Sequence, residues 1–142
     1  MRIAVIDGQG GGIGRTITER LVRALSPEVE ILALGTNATA TAGMLKAGAN
    51  EGASGENAIL YNAERVDLIV GPLGVVLAHA FLGEMTPAMA AAVAGSRARK
   101  ILLPLNRSNV DLVGVTEEPL PHLVDTLVVR VRRYLEAAQT GH

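Results

Sequence analysis

The stretch Gly8-Gln9-Gly10-Gly11-Gly12-Ile13-Gly14 constrains this chain more than any other. It joins a short apolar run, Ile3 to Asp7, to a helical pattern that opens at Arg15. Five glycines in seven positions remove side chains where a strand turns into a helix. Backbone must approach something closely there. In α/β domains that something is often a phosphate, held by N–H groups at the positive end of the helix dipole. The alternative is tight packing of helix on strand, which glycine serves equally well.

The rest of the chain supplies the matching elements. Arg2 to Asp7 reads as a buried strand, too short for a helix and rich in Ile and Val. Ile13, Ile17, Leu21 and Leu25 recur every fourth residue as one helical stripe, which Ser26-Pro27 closes. Val29 to Leu34 is a second strand, and Thr36, Asn37 and Thr39 are N-cap candidates for a short helix reaching Ala47. Gly48 to Glu56 reads as a polar, glycine-rich loop. A short helix with Ile59, Leu60 and Ala63 then leads to a third strand, Val66 to Val70. Gly71-Pro72-Leu73-Gly74 punctuates its end, and the apolar segment Val75 to Leu82 reads as helical. Thr86-Pro87 starts a helix through Ala94, with Gly95 as its C′ residue. Lys100 to Leu105 and Val110 to Val115 read as the last two strands. Only Asn106-Arg107-Ser108-Asn109 separates them, too few residues for a parallel crossover, so an antiparallel hairpin is expected. Pro119 and Pro121 introduce a final helix, striped by Leu123, Leu127, Val131 and Leu135.

This alternation predicts a three-layer Rossmann-like α/β domain spanning residues 1–142. Its five-stranded sheet is expected to be mostly parallel, with the antiparallel hairpin at one edge. Ligands of such sheets bind outside the carboxyl ends of the strands. The glycine turn, Gly35 to Asn37 and Gly71 to Gly74 all fall there. The expected cofactor-binding residues are therefore Asp7, Gly8, Gln9, Gly10, Gly11, Gly12, Ile13, Gly14 and Arg15 around a phosphate. Thr36 and Asn37 would face the sugar, and Pro72 and Gly74 would form the opposite wall.

Composition narrows the ligand class. The 142 residues carry a net charge of −1, with scattered arginines and only 2% aromatic residues, so neither an electrostatic footprint nor a stacking platform for nucleic acid exists. There is no cysteine, which excludes disulfides, iron–sulfur clusters and thiolate zinc sites. No leader pattern opens the chain and no run of about eighteen apolar residues could span a bilayer, so a cytoplasmic setting without membrane contact is expected. His122 and His142 lack metal-ligand spacing with other candidates, and no metal site is expected.

Comparison of motifs sharpens the glycine turn. Gly12-Ile13-Gly14-Arg15 looks like the cofactor turn of short-chain dehydrogenases, but Tyr61 with Arg65 is the nearest approach to their Tyr-x-x-x-Lys pair and has the wrong base. Gly11-Gly12-Ile13-Gly14-Arg15-Thr16 resembles the phosphate loop of ParA-like ATPases, but Arg15 replaces the lysine that reaches the β/γ-phosphates. Asp67 also starts its strand instead of ending it, which leaves magnesium unserved. A bound dinucleotide or phosphate survives these comparisons; a dehydrogenase of the short-chain family does not, and ATP hydrolysis is not expected. No acid follows the second strand to hold a ribose diol. Among NAD(P) cofactors that weakens NAD, and it leaves NADP, a mononucleotide or a flavin such as FMN open as ligands. Asp7 beside a phosphate would be repulsive unless neutralised. Its alternative role is to accept backbone N–H bonds and fix the turn.

Three further expectations concern activity and assembly. Asn50, Glu51, Ser54 and Glu56 could cover a ligand, and His79 and Glu84 flank the third-strand turn. Arg107 could meet an anion. An enzyme acting on a phosphorylated or carboxylated molecule would draw its acid and base from Asp7, Glu51, Glu56 and His79, gathered in one pocket. The alanine-rich segments Ala38 to Ala47 and Ala88 to Ala94, with Met85 and Met89, suit a homo-oligomer or a regulatory subunit. Taken end to end, the chain resembles a bacterial family of short proteins catalogued as domain of unknown function 3842. The resemblance rests on Asp7 to Gly14, Leu34 to Asn37, Ala47 to Asn50, Gly52 to Ala58, Gly71-Pro72 and Gly83 to Pro87. It implies a Rossmann-like fold and a bacterial cytoplasmic setting, and assigns no catalytic residue.

Overall fold

The computed structural model describes residues 1–105 and 109–140. Its strands are β1 (Arg2–Asp7), β2 (Glu30–Gly35), β3 (Glu51–Ser54), β4 (Leu68–Pro72) and β5 (Arg99–Leu103). They form one sheet in the order β3-β2-β1-β4-β5, and every neighbouring pair is parallel. Parallel strands need crossovers, which are supplied by helices α1 (Gly12–Ala24), α2 (Ala38–Lys46), α3 (Glu56–Ala63) and α4 (Pro87–Ala94). Helix α5 (Leu120–Gln139) follows the last strand.

Alternate side chains of each strand point to opposite faces, and both faces are buried. Ile3, Val5, Ile31, Ala33, Leu68 and Val70 meet Ile17 and Leu21 of α1 and Leu123, Leu127 and Val131 of α5. Ala4, Ile6, Leu32, Leu34 and Ile69 meet Ile59 of α3 and Met89, Ala90 and Val93 of α4. These are the three layers that the periodicity predicts. Strand order reverses at β1, whose neighbours are β2 on one side and β4 on the other. That switch point lies at the carboxyl ends of β1 and β4, where ligands of such sheets bind.

The expected antiparallel edge does not form. β5 pairs in parallel with β4, in register from Leu68 opposite Arg99 to Pro72 opposite Leu103. Val110 to Val115 is not a strand, and every residue from 109 to 119 is exposed. The expected turn at Asn106, Arg107 and Ser108 lies outside the described residues. The fifth strand is β3, within the stretch read as a polar loop. It is an edge strand of four residues, and an edge needs no apolar run to pair. Instead, Gly52 lets α2 pack down, since a Cβ there would lie 2.7 Å from Thr41 Cγ2.

Two local expectations also change. Val75 to Leu82 is not an α-helix: one short 3₁₀ turn, Leu73–Val76, gives way to consecutive tight turns. His79, Phe81 and Leu82 take left-handed backbone angles there, with φ of 68°, 59° and 56°. Gly95 ends α4 with φ of −85°, a right-handed conformation, so it is not a left-handed C′ residue. Thr86 caps α4 as expected, accepting from the Met89 amide.

Candidate functional site

The switch point is built outward from Asp7. This residue ends β1 and is 3% exposed. Its Oδ1 accepts from the Gly8 amide at 2.8 Å and its Oδ2 from the Gly14 amide at 2.6 Å. The carboxylate thus ties both ends of the glycine turn, the local role weighed against ligand contact. Burial pushes its pKa up, the two amide bonds oppose that, and the neighbouring charge of Glu84 adds to the rise. Between these ties, Gln9 and Gly11 adopt φ of 49° and 72°, and the Gly11 amide donates to the Gly8 carbonyl at 3.0 Å.

The five glycines then divide in two. A Cβ on Gly8 would lie 2.6 Å from the Phe81 ring, on Gly11 2.7 Å from Ala40 Cα, and on Gly14 2.8 Å from both Asp7 Cβ and Met44 Sδ. Those three are glycine because the protein packs there. Gly10 and Gly12 meet nothing within 4 Å and both are exposed. The amides of Gly10, Gly12 and Ile13 have no acceptor among the described residues. Gly12 and Ile13 open α1, whose first turn carries no acid. Arg15 is exposed and lies along α2, its Cδ near Gly43.

A second carboxylate occupies the inner rim. Glu84 Oε1 accepts from the Gln9 amide at 2.7 Å, the Thr36 hydroxyl at 2.6 Å and the Asn37 side-chain amide at 3.1 Å. Asn37 also caps α2, accepting from the Ala40 amide, and donates to the Gln9 carbonyl. Burial alone would raise the Glu84 pKa, but the three bonds together hold it below the usual carboxylate range. Phe81, three residues earlier, lays its ring over both Gly8 and Gly74.

Most expected site residues therefore do converge, though not all in the expected way. The glycine turn, Thr36 and Asn37 meet at one point. Pro72 and Gly74 are buried, and Gly74 lies beneath Phe81 and Ala80 instead of walling an open cleft. Asn50 and Ser54 serve β3: Asn50 Oδ1 accepts from the Ile31 amide, and Ser54 Oγ pairs with Thr41 Oγ1. Glu56 accepts from the Thr86 hydroxyl. Glu51 and His79 are exposed on separate segments. Among the described residues, no hydrogen bond joins any two of the four acid/base candidates. A cleft of about 580 Å³ lies elsewhere, between Leu105, Leu123 and the exposed 110–119 segment.

The sequence reading undervalued Glu84 and passed over Phe81. A signal existed for each. Glu84 is the only Asp, Glu, Lys or Arg between Asp67 and Arg97, and Phe81 is the only phenylalanine of the chain. Phe81 lies within the segment expected to be helical, Val75 to Leu82, and Glu84 just beyond it, which hid that they turn back onto the rim.

Residues 2–136 match the family described as "Domain of unknown function (DUF3842)". The chain belongs to this family. No curated protein matches it. Among solved structures, this member of the family is similar to a dodecameric FMN-dependent UbiX-like decarboxylase from Escherichia coli O157:H7. The identity is 15% and the TM-score 0.55, over 96% of this chain and 95% of that one. At that identity the likeness shows a shared α/β fold. Among the described residues, no helix is long and apolar enough to cross a membrane, and no group of three His, Cys, Asp or Glu side chains is disposed to hold a metal ion.

Proposed function

We propose that the rim over β1, β2 and β4 binds the phosphate of a small nucleotide on the outward amides of Gly10, Gly12 and Ile13. The observation that carries this reading is the open space at Gly10 and Gly12. Packing accounts for Gly8, Gly11 and Gly14, but nothing inside the chain requires a missing side chain at positions 10 or 12. A ligand oxygen that must reach those amides does require it. The α1 dipole and the acid-free first turn favour an anion there. Thr36 and Asn37 carry no acid for a ribose diol, which suits FMN or NADP better than NAD. The similar decarboxylase is FMN-dependent, which makes that flavin the first ligand to try. An enzyme on this rim would need acid/base groups other than the dispersed set Glu51, Glu56 and His79.

The test is calorimetric titration of the whole chain with FMN, NADP and ADP, beside the variant Gly12→Ala. Alanine at an open helical position of ordinary φ is expected to raise stability by about 0.4–1 kcal/mol. Its methyl group obstructs the amides, so binding should weaken at least about tenfold (about 1.4 kcal/mol). Equal binding by the variant and the wild type would overturn the reading.

We also propose that the chain forms a homo-oligomer. Val113, fully exposed at 101%, and its exposed neighbours Val110, Leu112 and Val115 favour this, as does the dodecamer named for the similar structure.

A further inference from the structure

Glu84 does what a ligand's anion would do. It places a carboxylate on three donors that converge from separate elements: the Gln9 amide of the glycine turn, and the hydroxyl of Thr36 and the side-chain amide of Asn37 beyond β2. No cation accompanies it. Its salt-bridging distance to Lys or Arg is unmet among the described residues, and Asp7 lies behind the same turn with its own carboxylate. A phosphate arriving at Gly10 and Gly12 would meet this uncompensated negative charge. Occupancy by Glu84 and occupancy by a nucleotide therefore oppose each other.

The segment that carries Glu84 is a loop closed on itself. Its neck is closed by the Met85 amide donating to the Ala80 carbonyl at 3.0 Å, and both neck residues are buried. Beside the neck, the His79 amide donates to the Met85 carbonyl and the Gly83 amide to the His79 carbonyl; inside it, the Glu84 amide donates to the Phe81 carbonyl. What holds the tip down is the Phe81 ring on Gly8 and Gly74, and Glu84 on its three donors. Against this, Phe81 and Leu82 both carry left-handed backbone, and Leu82 is 94% exposed, so it contributes strain with no packing in return.

Resting on the phosphate reading, we propose that Gln9, Thr36 and Asn37 form a second anion seat on the same rim. Glu84 fills this seat in the free protein, and a ligand bearing a phosphate together with a second phosphate or carboxylate oxygen displaces it. Phe81 to Glu84 lift away as one strap when that exchange occurs. The strap thus favours ligands with two anionic groups, such as NADP and ADP, over FMN, whose single phosphate cannot compensate for the bonds that Glu84 gives up.

The experiment titrates the full chain with inorganic pyrophosphate and with ADP, each bearing two phosphates, and measures hydrogen exchange over residues 79–85 with and without each. In the wild type, exchange of the strap is expected to rise on binding. Glu84→Ala vacates the seat and should tighten both probes at least about tenfold. Leu82→Asn replaces an exposed side chain by one that tolerates left-handed backbone, so it secures the closed strap and should weaken binding a few-fold. If Glu84→Ala does not fold, Leu82→Asn still decides, because its side chain packs against nothing. Equal affinities across the three proteins, with strap exchange unchanged, would overturn the proposal. If Gly12→Ala nevertheless abolished binding, the phosphate reading would stand and the seat alone would fall. If no protein bound any probe, both would fall.

Discussion

Gly12 and Gly14 sit two residues apart on one turn and answer to opposite constraints. The first looks into open space; the second is pressed between Asp7 Cβ and Met44 Sδ, each 2.8 Å from where a methyl group would sit. Gly14→Ala is therefore expected to destabilise the fold by about 1–3 kcal/mol, the ordinary cost of overpacking, and to lower the urea midpoint. Gly12→Ala moves the midpoint the other way. Asp7→Asn belongs with Gly14. An amide can accept from Gly8 or from Gly14 but turns its own NH₂ toward the other, leaving one buried N–H unpaired at a cost of about 1–3 kcal/mol. None of this contrast was legible in the sequence, where all five glycines look alike. It is decided by Phe81, Ala40 and Met44, which the fold brings from elsewhere.

The helices and central strands were legible because their pattern is their packing. Ile17, Leu21, Leu127 and Val131 repeat at helical spacing and bury against Ile3, Val5 and Val70. Two elements escaped for the same physical reason, since neither depends on an apolar period. β3 pairs through backbone at an edge, and the strap folds through turns, against the helical run of Val75 to Leu82. The strap also carries a pH dependence. Glu84, with its pKa held down, lends stability that is present above its unfolded pKa and lost as pH falls through the lower folded value. Asp7, with its pKa pushed up chiefly by burial, has the opposite sign: its contribution is favourable at low pH and is lost as pH rises through the folded value. Acidification should loosen the strap while it relieves Asp7. Carboxyl-carbon NMR is expected to show Glu84 titrating below the usual range and Asp7 above it. In Glu84→Gln, the Asp7 midpoint should drop, because a neighbouring charge that raises it is gone. An unmoved Asp7 midpoint would mean that the two carboxylates do not sense each other.

At the scale of the molecule, one feature is left without a role inside the single chain. Residues 109 to 119 lie between β5 and α5 with every residue exposed, Val113 fully and Val110, Leu112 and Val115 in part, although aliphatic side chains are ordinarily buried. The segment Val110 to Val115, read as a strand from the sequence, does not pair with the free edge of β5. β5 is itself an edge, and an edge beside an exposed aliphatic segment invites a second chain. The alanine-rich face of α4 adds less, because Met89, Ala90 and Val93 are already buried against the sheet. The prediction follows from Val113, which touches nothing in its own chain. Val113→Asp should leave thermal stability within about 0.5 kcal/mol, as expected for a surface change. The same change should move the mass measured by light scattering from an oligomer toward a single chain. A wild type that already runs at single-chain mass, unchanged by the substitution, would show that the segment serves no contact between copies.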